Sequence, residues 1–408
     1  MRTRLFGLTA SVLFALLAML VLGAATAASK PGPAKGEGTP KFTTDGGTSG
    51  FRTGNTVKYW SSSFFDPHNQ QTYSYTMVGT PPSSGTTTTV NAVIIPLAFH
   101  FSAAGRPDPG LICDPSGTPG TCVAQDVTMD PTNDPNNGGP TPNDVTNVIN
   151  SPIFATSNYA QSGDTGVQYG DAIQRSEFNV VGSSYHVNLA YTHTYPVQTI
   201  DVPGNQGVAV INRRGVLVGR VDDHWYSNKL QSLINSLHLD PTVVPIFLNA
   251  NVYLYDNNDQ INGCCILGYH GARTALRGNG AQAVQTYIFA AYITPGSFGG
   301  YPDVPIADIH GLSHEVSEWM NDPFVNNIVE PWAVPTATQY GCTAYLETGD
   351  PVVGIGFPQT TNGFTYHPED EVFLPWFARQ VPSSSQDGKY TFMNTFTTEN
   401  KLAPAASC

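Results

Sequence analysis

The chain has 408 residues, which is enough for one large domain or two domains of ordinary size. Only 12% of the residues are charged, whereas 40 are glycine and 32 are proline, a composition typical of a loop-rich, β-dominated extracellular protein. The formal net charge of −13 argues against binding to nucleic acid, or to a membrane surface through basic patches, because both depend on Lys and Arg.

The first residues have the pattern of a secretory signal peptide, predicted over 1–27. Arg2 and Arg4 precede a long apolar run, and Ala25-Thr26-Ala27 supplies the small residues of a cleavage site. An uncleaved membrane anchor is the alternative, because the run is nearly long enough to span a bilayer. The small residues and the polar segment after them favour cleavage after Ala27. We therefore predict a secreted, extracellular protein with no membrane attachment once the signal is removed.

The rest of the chain predicts an α+β fold. Residues 28–54 are rich in Gly, Pro, Lys and Thr and predict a flexible leader. Residues 55–150 are expected to form a β-rich N-terminal part, because β-branched and aromatic residues dominate TYSYTMVGT and TTTTVNAVIIPLAFHF. Residues 151–408 alternate strand and helix patterns, which include the amphipathic WYSNKLQSLINSLHL and a helix predicted over 303–322. They predict a mixed domain joined to the β-rich part.

Six cysteines in an exported chain predict disulfide bonds. Cys113 and Cys122 bracket a turn-rich loop, so a local bridge is expected there. The adjacent Cys264 and Cys265 are not expected to bond each other, because the small ring disfavours good disulfide geometry. One of these two is expected to pair with Cys342.

The stretch IHGLSHEVSEWMNDP predicts a helix with a polar face that suits a metal ion, and Asn321-Asp322-Pro323 is expected to end it. The opposite side is predicted to be apolar and consists of Ile306, Ile309, Leu312, Val316, Trp319 and Met320. His310, His314 and Glu318 follow one another at four-residue intervals and therefore lie on one side of the helix, with Glu315 beside them. Zinc proteases of the H-E-x-x-H kind place two ligands one turn apart and a glutamate next to the first. Here Glu318 replaces the second histidine, and zinc accepts carboxylate ligands. The alternative is a polar helix face turned toward water.

A third ligand must come from elsewhere in the chain, and the LETGDP segment offers Glu347. His310 is the rival third ligand because it lies one turn before His314. Three consecutive ligands on one helix converge poorly on a tetrahedral ion, so Glu347 ranks first.

Further polar residues are predicted around these ligands or facing a substrate: His310, Asp350, Asp322 and His367. His367 is a candidate transition-state donor, although its place before Pro368 favours a turn-forming role. His270 is interpreted as a loop histidine satisfied by its surroundings rather than as a ligand.

SHEVSEWMNDPF, then Trp332, then LETGDP resembles the pattern of secreted, zincin-like bacterial metallopeptidases of an H-E-x-x-E variant. The pattern is also distantly similar to the plant extracellular EXORDIUM (phosphate-induced) family. The resemblance is clearest over 264–377. It implies a zincin-like domain built around the metal-site helix. It also implies site roles: His314 and Glu318 as ligands, Glu315 as general base, and Glu347 with Asp350 as a downstream acidic pair.

The leading hypothesis is a secreted zinc-dependent hydrolase, above all a peptidase with a peptide or protein substrate. His314, Glu318 and Glu347 would hold the zinc, and Glu315 would take a proton from the attacking water. The set of ligands also suits iron or manganese. One alternative is a non-catalytic extracellular binding or cell-surface protein with a structural metal or none. A weaker alternative is a carbohydrate-active protein, which would need two carboxylates flanking a groove. The oligomeric state stays open.

Overall fold

The computed structural model describes residues 56–102, 126–136, 143–212, 214–256, 264–276, 282–298, 304–335, 342–395 and 408. Within these residues the fold is mixed α+β and rich in strands, as the sequence predicts. The predicted signal peptide and leader, and the predicted Cys113–Cys122 bridge, lie outside the described residues. Among the described residues, no helix combines the length and apolar character needed to cross a membrane.

The secondary structure elements are numbered here in chain order. The strands are β1 (Tyr59–Asp66), β2 (Gln71–Val78), β3 (Thr87–Phe101), β4 (Val127–Met129), β5 (Ser157–Tyr159), β6 (Asp164–Val167), β7 (His186–Thr194), β8 (Gln198–Val202), β9 (Gly207–Ile211), β10 (Leu217–Asp222), β11 (Val244–Ala250), β12 (Val252–Tyr255), β13 (Cys264–Ile266), β14 (Gly268–Leu276), β15 (Gln282–Tyr292), β16 (Ile328–Ala333), β17 (Cys342–Tyr345), β18 (Gln359–Thr361) and β19 (Phe364–Tyr366). The α-helices are α1 (Asp144–Asn150), α2 (Tyr169–Glu177), α3 (Asp223–Leu237), α4 (His310–Asn321) and α5 (Leu374–Phe377).

A seven-stranded sheet forms the centre of the described fold. Strand β3 pairs in parallel with β11, which pairs in parallel with β15, and β14 closes that side as an antiparallel edge strand. Strands β7 and β8 pair in parallel with successive parts of β3. Strand β3, from the part predicted over 55–150, therefore lies in the same sheet as β11 and β15, from the part predicted over 151–408.

Helices cover both faces of the central sheet. On one face, Leu312 and Trp319 of α4 pack in one apolar cluster with Ile94 of β3 and with residues of α2. On the other face, Leu230 of α3 packs with Ile95 of the same strand. Successive strand residues point to opposite faces, so β3 contributes to both clusters and is buried on both sides. This packing holds α4 against β14 and β15.

Helix α4 begins at His310, later than the start of the predicted 303–322 helix. The backbone of Asp308 instead pairs in both directions with Ile293, and Asp308 has a φ of 46°, which lies outside the helical region. The predicted end is confirmed, because the helix stops at Asn321 before Asp322-Pro323. The predicted apolar side is confirmed for Ile309, Leu312, Val316, Trp319 and Met320, which are all buried in the cluster over the sheet. Ile306 precedes the helix and is buried in a different cluster.

The disulfide bonds differ from those predicted. Cys264 bonds Cys265, and Cys342 bonds Cys408. Cys264 and Cys265 are buried on β13 in an apolar cluster that includes Tyr253, whereas Cys342 is exposed on β17. The expected bond between this pair and Cys342 is therefore wrong, because the two segments lie in different surroundings. The expectation that adjacent cysteines stay unbonded to each other is wrong too.

Glu177, the last residue of α2, is a buried carboxyl group whose Oε1 accepts the N–H of Leu374 at 2.6 Å. Burial raises the pKa of Glu177 from 4.5 to about 8, and the Leu374 N–H opposes this shift only in part. Between pH 4.5 and about pH 8, Glu177 is protonated in the folded chain and ionised in the unfolded chain. The contribution of Glu177 to stability is therefore full below the lower value and is lost as the pH rises toward the higher one.

Substituting Glu177→Gln removes this titration and keeps an oxygen for Leu374. We expect the stability of the variant, relative to the unsubstituted protein, to rise by about 1.4 kcal/mol per pH unit between about pH 5 and about pH 8. Thermal unfolding of both proteins across this range measures the difference. A difference that does not change with pH would contradict the prediction.

Candidate metal centre

The polar side of α4 is buried, not solvated. His314 is 7% exposed and Glu318 is 0% exposed, and every residue of the helix belongs to the buried class. Strand β14 lies on one side of these groups, and the segment from Glu347 to Glu369 lies on the other. The alternative of a polar face turned toward water is therefore wrong. Buried charged groups require partners, so the neighbours of this face decide what it can do.

The carboxylate of Glu369 contacts both histidines of α4. Its Oε2 lies 2.7 Å from Nδ1 of His314, and its Oε1 lies 3.4 Å from Nε2 of His310. Its backbone N–H donates to Ser313 Oγ at 2.9 Å, which ties the segment to the helix. Burial raises the pKa of Glu369, but His310 and His314 outweigh burial and bring the pKa to about 2. An ionised Glu369 thus orients His314 so that its Nε2 faces inward.

The inward-facing nitrogen of His314 meets two carboxylates. Nε2 lies 3.1 Å from Glu318 Oε1 and 3.7 Å from Asp350 Oδ1. The backbone N–H of Gly349 donates to the same Glu318 oxygen at 3.1 Å, which holds the LETGDP segment against the helix. His314, Glu318 and Asp350 are all buried, and each offers a ligand atom to one common position. These three residues form the first ligand group.

A second ligand group shares Glu318 and takes its other members from β14 and LETGDP: His270, Glu318 and Glu347. His270 Nδ1 lies 3.6 Å from Glu318 Oε2, and its Nε2 lies 4.0 Å from Glu347 Oε2. Nε2 also donates to the backbone carbonyl of Asp322 at 3.1 Å. The predicted loop position of His270 is wrong, because His270 lies on the buried strand β14. Its ring is hydrogen-bonded, as interpreted, but it also lies beside three carboxyl groups.

Two buried carboxylate oxygens at this site accept no hydrogen bond from any other residue that the structure describes: Oε2 of Glu318 and Oε2 of Glu347. The pKa of Glu347 is raised well above its ordinary value, first by burial and then by the charges of Glu318, Asp322 and Asp350. Burial and the charge of Glu318 raise the pKa of Asp350 in the same way. Such crowded anionic oxygens are costly when they face one another without a cation. Oxygen and imidazole donors in this arrangement fit a divalent metal ion such as zinc, manganese or iron.

Glu315 lies between the two histidines of the ligand groups. Its Oε1 is 4.0 Å from His314 Nε2, and its Oε2 is 3.4 Å from His270 Nδ1. Burial raises the pKa of Glu315, and His270 and His314 oppose the shift. A Cβ at Gly268 would lie 2.7 Å from the carbonyl oxygen of Phe289 and 2.8 Å from Glu315 Cγ. The glycine therefore leaves room for both the neighbouring strand and the Glu315 side chain.

The predicted ligand set is only partly brought together. His314, Glu318 and Glu347 all line the centre, but His314 and Glu347 fall in different groups that meet at Glu318. Asp350, predicted as a neighbour, lies 3.7 Å from His314 Nε2 and takes the place beside His314 and Glu318 that was predicted for Glu347.

The other predicted neighbours have structural contacts. His310 Nδ1 donates to the carbonyl of His367 at 3.3 Å, which places His310 on the Glu369 side and not among the ligands. His367 Nδ1 lies 2.6 Å from Asp308 Oδ2, and His367 follows β19 without forming a turn. The Asp322 carboxylate accepts backbone N–H groups of Asn326 and Asn327 at the end of α4.

The sequence reasoning missed Glu369 and His270. Glu369 belongs to a cluster of glutamates in the second half of a chain that has few elsewhere, and this clustering was a usable signal. His270 carries no such signal, because only sheet packing brings β14 to α4. A further group, formed by Asp223, His224 and Asp256, lies at the start of α3, where His224 is exposed.

Comparisons of the chain with family models, with curated proteins and with solved structures return no match.

Proposed function

We propose that the protein is a secreted, zinc-dependent hydrolase of zincin-like type that cleaves peptide bonds. The observation that carries the proposal is the position of Glu315. Its carboxylate lies within 4.0 Å of a histidine from each ligand group, on the same buried side of α4. A general base must lie this close to the ligands if it is to reach a water molecule at the metal position.

The roles divide among the residues as follows. His314, Glu318 and Asp350 would hold the zinc, and Glu369 keeps the His314 ring turned toward it. A bound zinc ion supplies positive charge that polarises a carbonyl oxygen and makes water more acidic. Glu315 accepts the proton of the attacking water. Burial raises its pKa toward neutral pH, and a base with a pKa nearer the working pH both accepts and returns a proton efficiently.

A second candidate function is a closed metal site in a non-catalytic extracellular binding protein. None of the ligand-group residues on α4, β14 or LETGDP is more than 8% exposed. Structural metal sites are closed by protein ligands, whereas catalytic sites keep one position for water or substrate. Burial of this degree favours the closed site, and Glu315 as a neighbouring base favours the hydrolase.

The experiment that tests the hydrolase compares Glu315→Gln with the unsubstituted protein and with Glu177→Gln. The last is a matched control, since it also replaces a buried glutamate, but on α2. Each zinc-loaded protein is incubated with denatured proteins and a peptide mixture, and new amino termini are counted. We expect Glu315→Gln to keep its zinc and to lose about 10²- to 10⁴-fold in cleavage rate.

Glu177→Gln should cleave like the unsubstituted protein. Cleavage by Glu315→Gln at an unchanged rate would overturn the role of Glu315. If the zinc-loaded unsubstituted protein cleaves no substrate, the closed metal site replaces the hydrolase as the conclusion.

A further inference from the structure

We infer that the centre holds two divalent cations, bridged by the carboxylate of Glu318. The inference rests on the proposed metal-dependent function and adds a second ion to it. The first cation would lie between His314 and Asp350, and the second between His270 and Glu347.

The first argument is that the two oxygens of Glu318 face different ligand groups. Oε1 lies 3.1 Å from His314 Nε2, and Oε2 lies 3.6 Å from His270 Nδ1. Each oxygen can therefore serve one ion. A carboxylate that binds through both oxygens suits cations about 3.5–4 Å apart, the spacing of two-metal sites.

The second argument is that both histidines are held as metal ligands usually are. In His314, Nδ1 contacts Glu369 at 2.7 Å and Nε2 faces Glu318. In His270, Nε2 donates to the Asp322 carbonyl at 3.1 Å, and Nδ1 faces the carboxylates of Glu315 at 3.4 Å and Glu318 at 3.6 Å. Ligating histidines donate one ring N–H to a protein acceptor, which aims the other nitrogen at the metal. Both rings show this arrangement about one shared carboxylate.

The third argument is that the second group contains buried acceptor atoms to which no other described residue donates. These atoms are Oε2 of Glu318 and Oε2 of Glu347, and both lie on the side of His270. A single ion between His314 and Asp350 would leave the Glu347 oxygen unsatisfied. A second ion would satisfy it.

The fourth argument is charge. Four carboxyl groups line the two positions: Glu315, Glu318, Glu347 and Asp350. Each divalent cation would offset two negative charges, so two cations would allow all four groups to be ionised together, whereas one cation would offset only two. The negative charge of Glu369 is not included, because its carboxylate pairs with His310 and with Nδ1 of His314, the ring nitrogen that does not face Glu318.

The test is a manganese titration of the full mature chain after removal of bound metal, read by metal analysis and by electron paramagnetic resonance. We expect two Mn²⁺ per chain and an exchange-coupled spectrum, because the two ions share one carboxylate. Asp350→Asn and Glu347→Gln should each bind one ion with an uncoupled spectrum. Glu177→Gln should bind two coupled ions.

Asp256→Asn is a second control, since the group of Asp223, His224 and Asp256 could take an ion elsewhere. Two uncoupled ions in the unsubstituted protein, one of them lost in Asp256→Asn, would overturn the bridged centre. One ion per chain would overturn it as well, while the proposed hydrolase would stand. No bound ion would overturn both. If a variant fails to fold, the stoichiometry and coupling of the unsubstituted protein decide.

Discussion

Replacing Glu318 with glutamine should abolish tight metal binding while the chain still folds. Glu318 is the member that both ligand groups share, so one substitution affects every proposed metal position. Structural zinc sites bind with about 10–16 kcal/mol over four ligands, which is roughly 3 kcal/mol for each ligand. Loss of one anionic ligand should therefore weaken binding by about 100-fold or more. Glutamine keeps an oxygen for the Gly349 N–H, so the contact between α4 and LETGDP can persist.

The measurement is metal content together with thermal unfolding at a fixed metal concentration. In the unsubstituted protein, metal at about 1,000 times its dissociation constant should add about 4 kcal/mol of stability. An affinity loss of about 100-fold should remove about 2.7 kcal/mol of that gain. Glu177→Gln, outside the centre, should keep the full gain. Metal binding by Glu318→Gln at unchanged affinity would show that Glu318 does not ligate a metal.

Replacing Gly349 with alanine should destabilise the protein and disturb metal binding through a single methyl group. The new Cβ would overlap the His314 ring, with Cε1 of that ring at 2.6 Å. The backbone of Gly349 has φ −82° and ψ −35°, which alanine adopts without strain. The effect therefore comes from the clash alone. Overpacking of this kind costs about 1–3 kcal/mol, and the ring can yield only by turning away from Glu318 and Asp350.

Denaturant unfolding and metal titration of Gly349→Ala measure both consequences. Gly311→Ala is the matched control, because its Cβ would meet the Leu267 side chain at 3.1 Å and no ligand. A double variant, Gly349→Ala with His314→Ala, removes the overlapping ring. In that background Gly349→Ala should cost less than about 0.5 kcal/mol, because the two changes are coupled only through the clash. An equal cost in both backgrounds would contradict the argument.

The sequence alone determined the elements whose signals are local. A helix repeats every 3.6 residues, so the spacing of His310, His314 and Glu318 was enough to place them on one side of α4. The same periodicity predicted the apolar side that packs on the sheet, and Asp322-Pro323 predicted the end of the helix. Strand-forming runs predicted the α+β class. These inferences needed only residues within a few positions of one another.

Tertiary structure decided how the centre is assembled, because its partners are distant along the chain. Packing of β14 beside α4 brings His270 to Glu318, and no local pattern distinguishes that histidine from a loop histidine. The fold of LETGDP over the helix aims Asp350 at His314 and Glu347 at His270, although both acids lie in one short segment. The pairing of Cys342 with Cys408 was decided in the same way.

The burial of α4 on every side was also a tertiary result. The sequence allowed a polar face exposed to water, but Glu369 and β14 cover that face and turn it into an enclosed cluster of charges. A helical pattern records which residues share a face, whereas the dielectric around that face depends on what packs against it. The sequence therefore determined which groups α4 presents, and only the packing around α4 determined that they form the centre of a buried site.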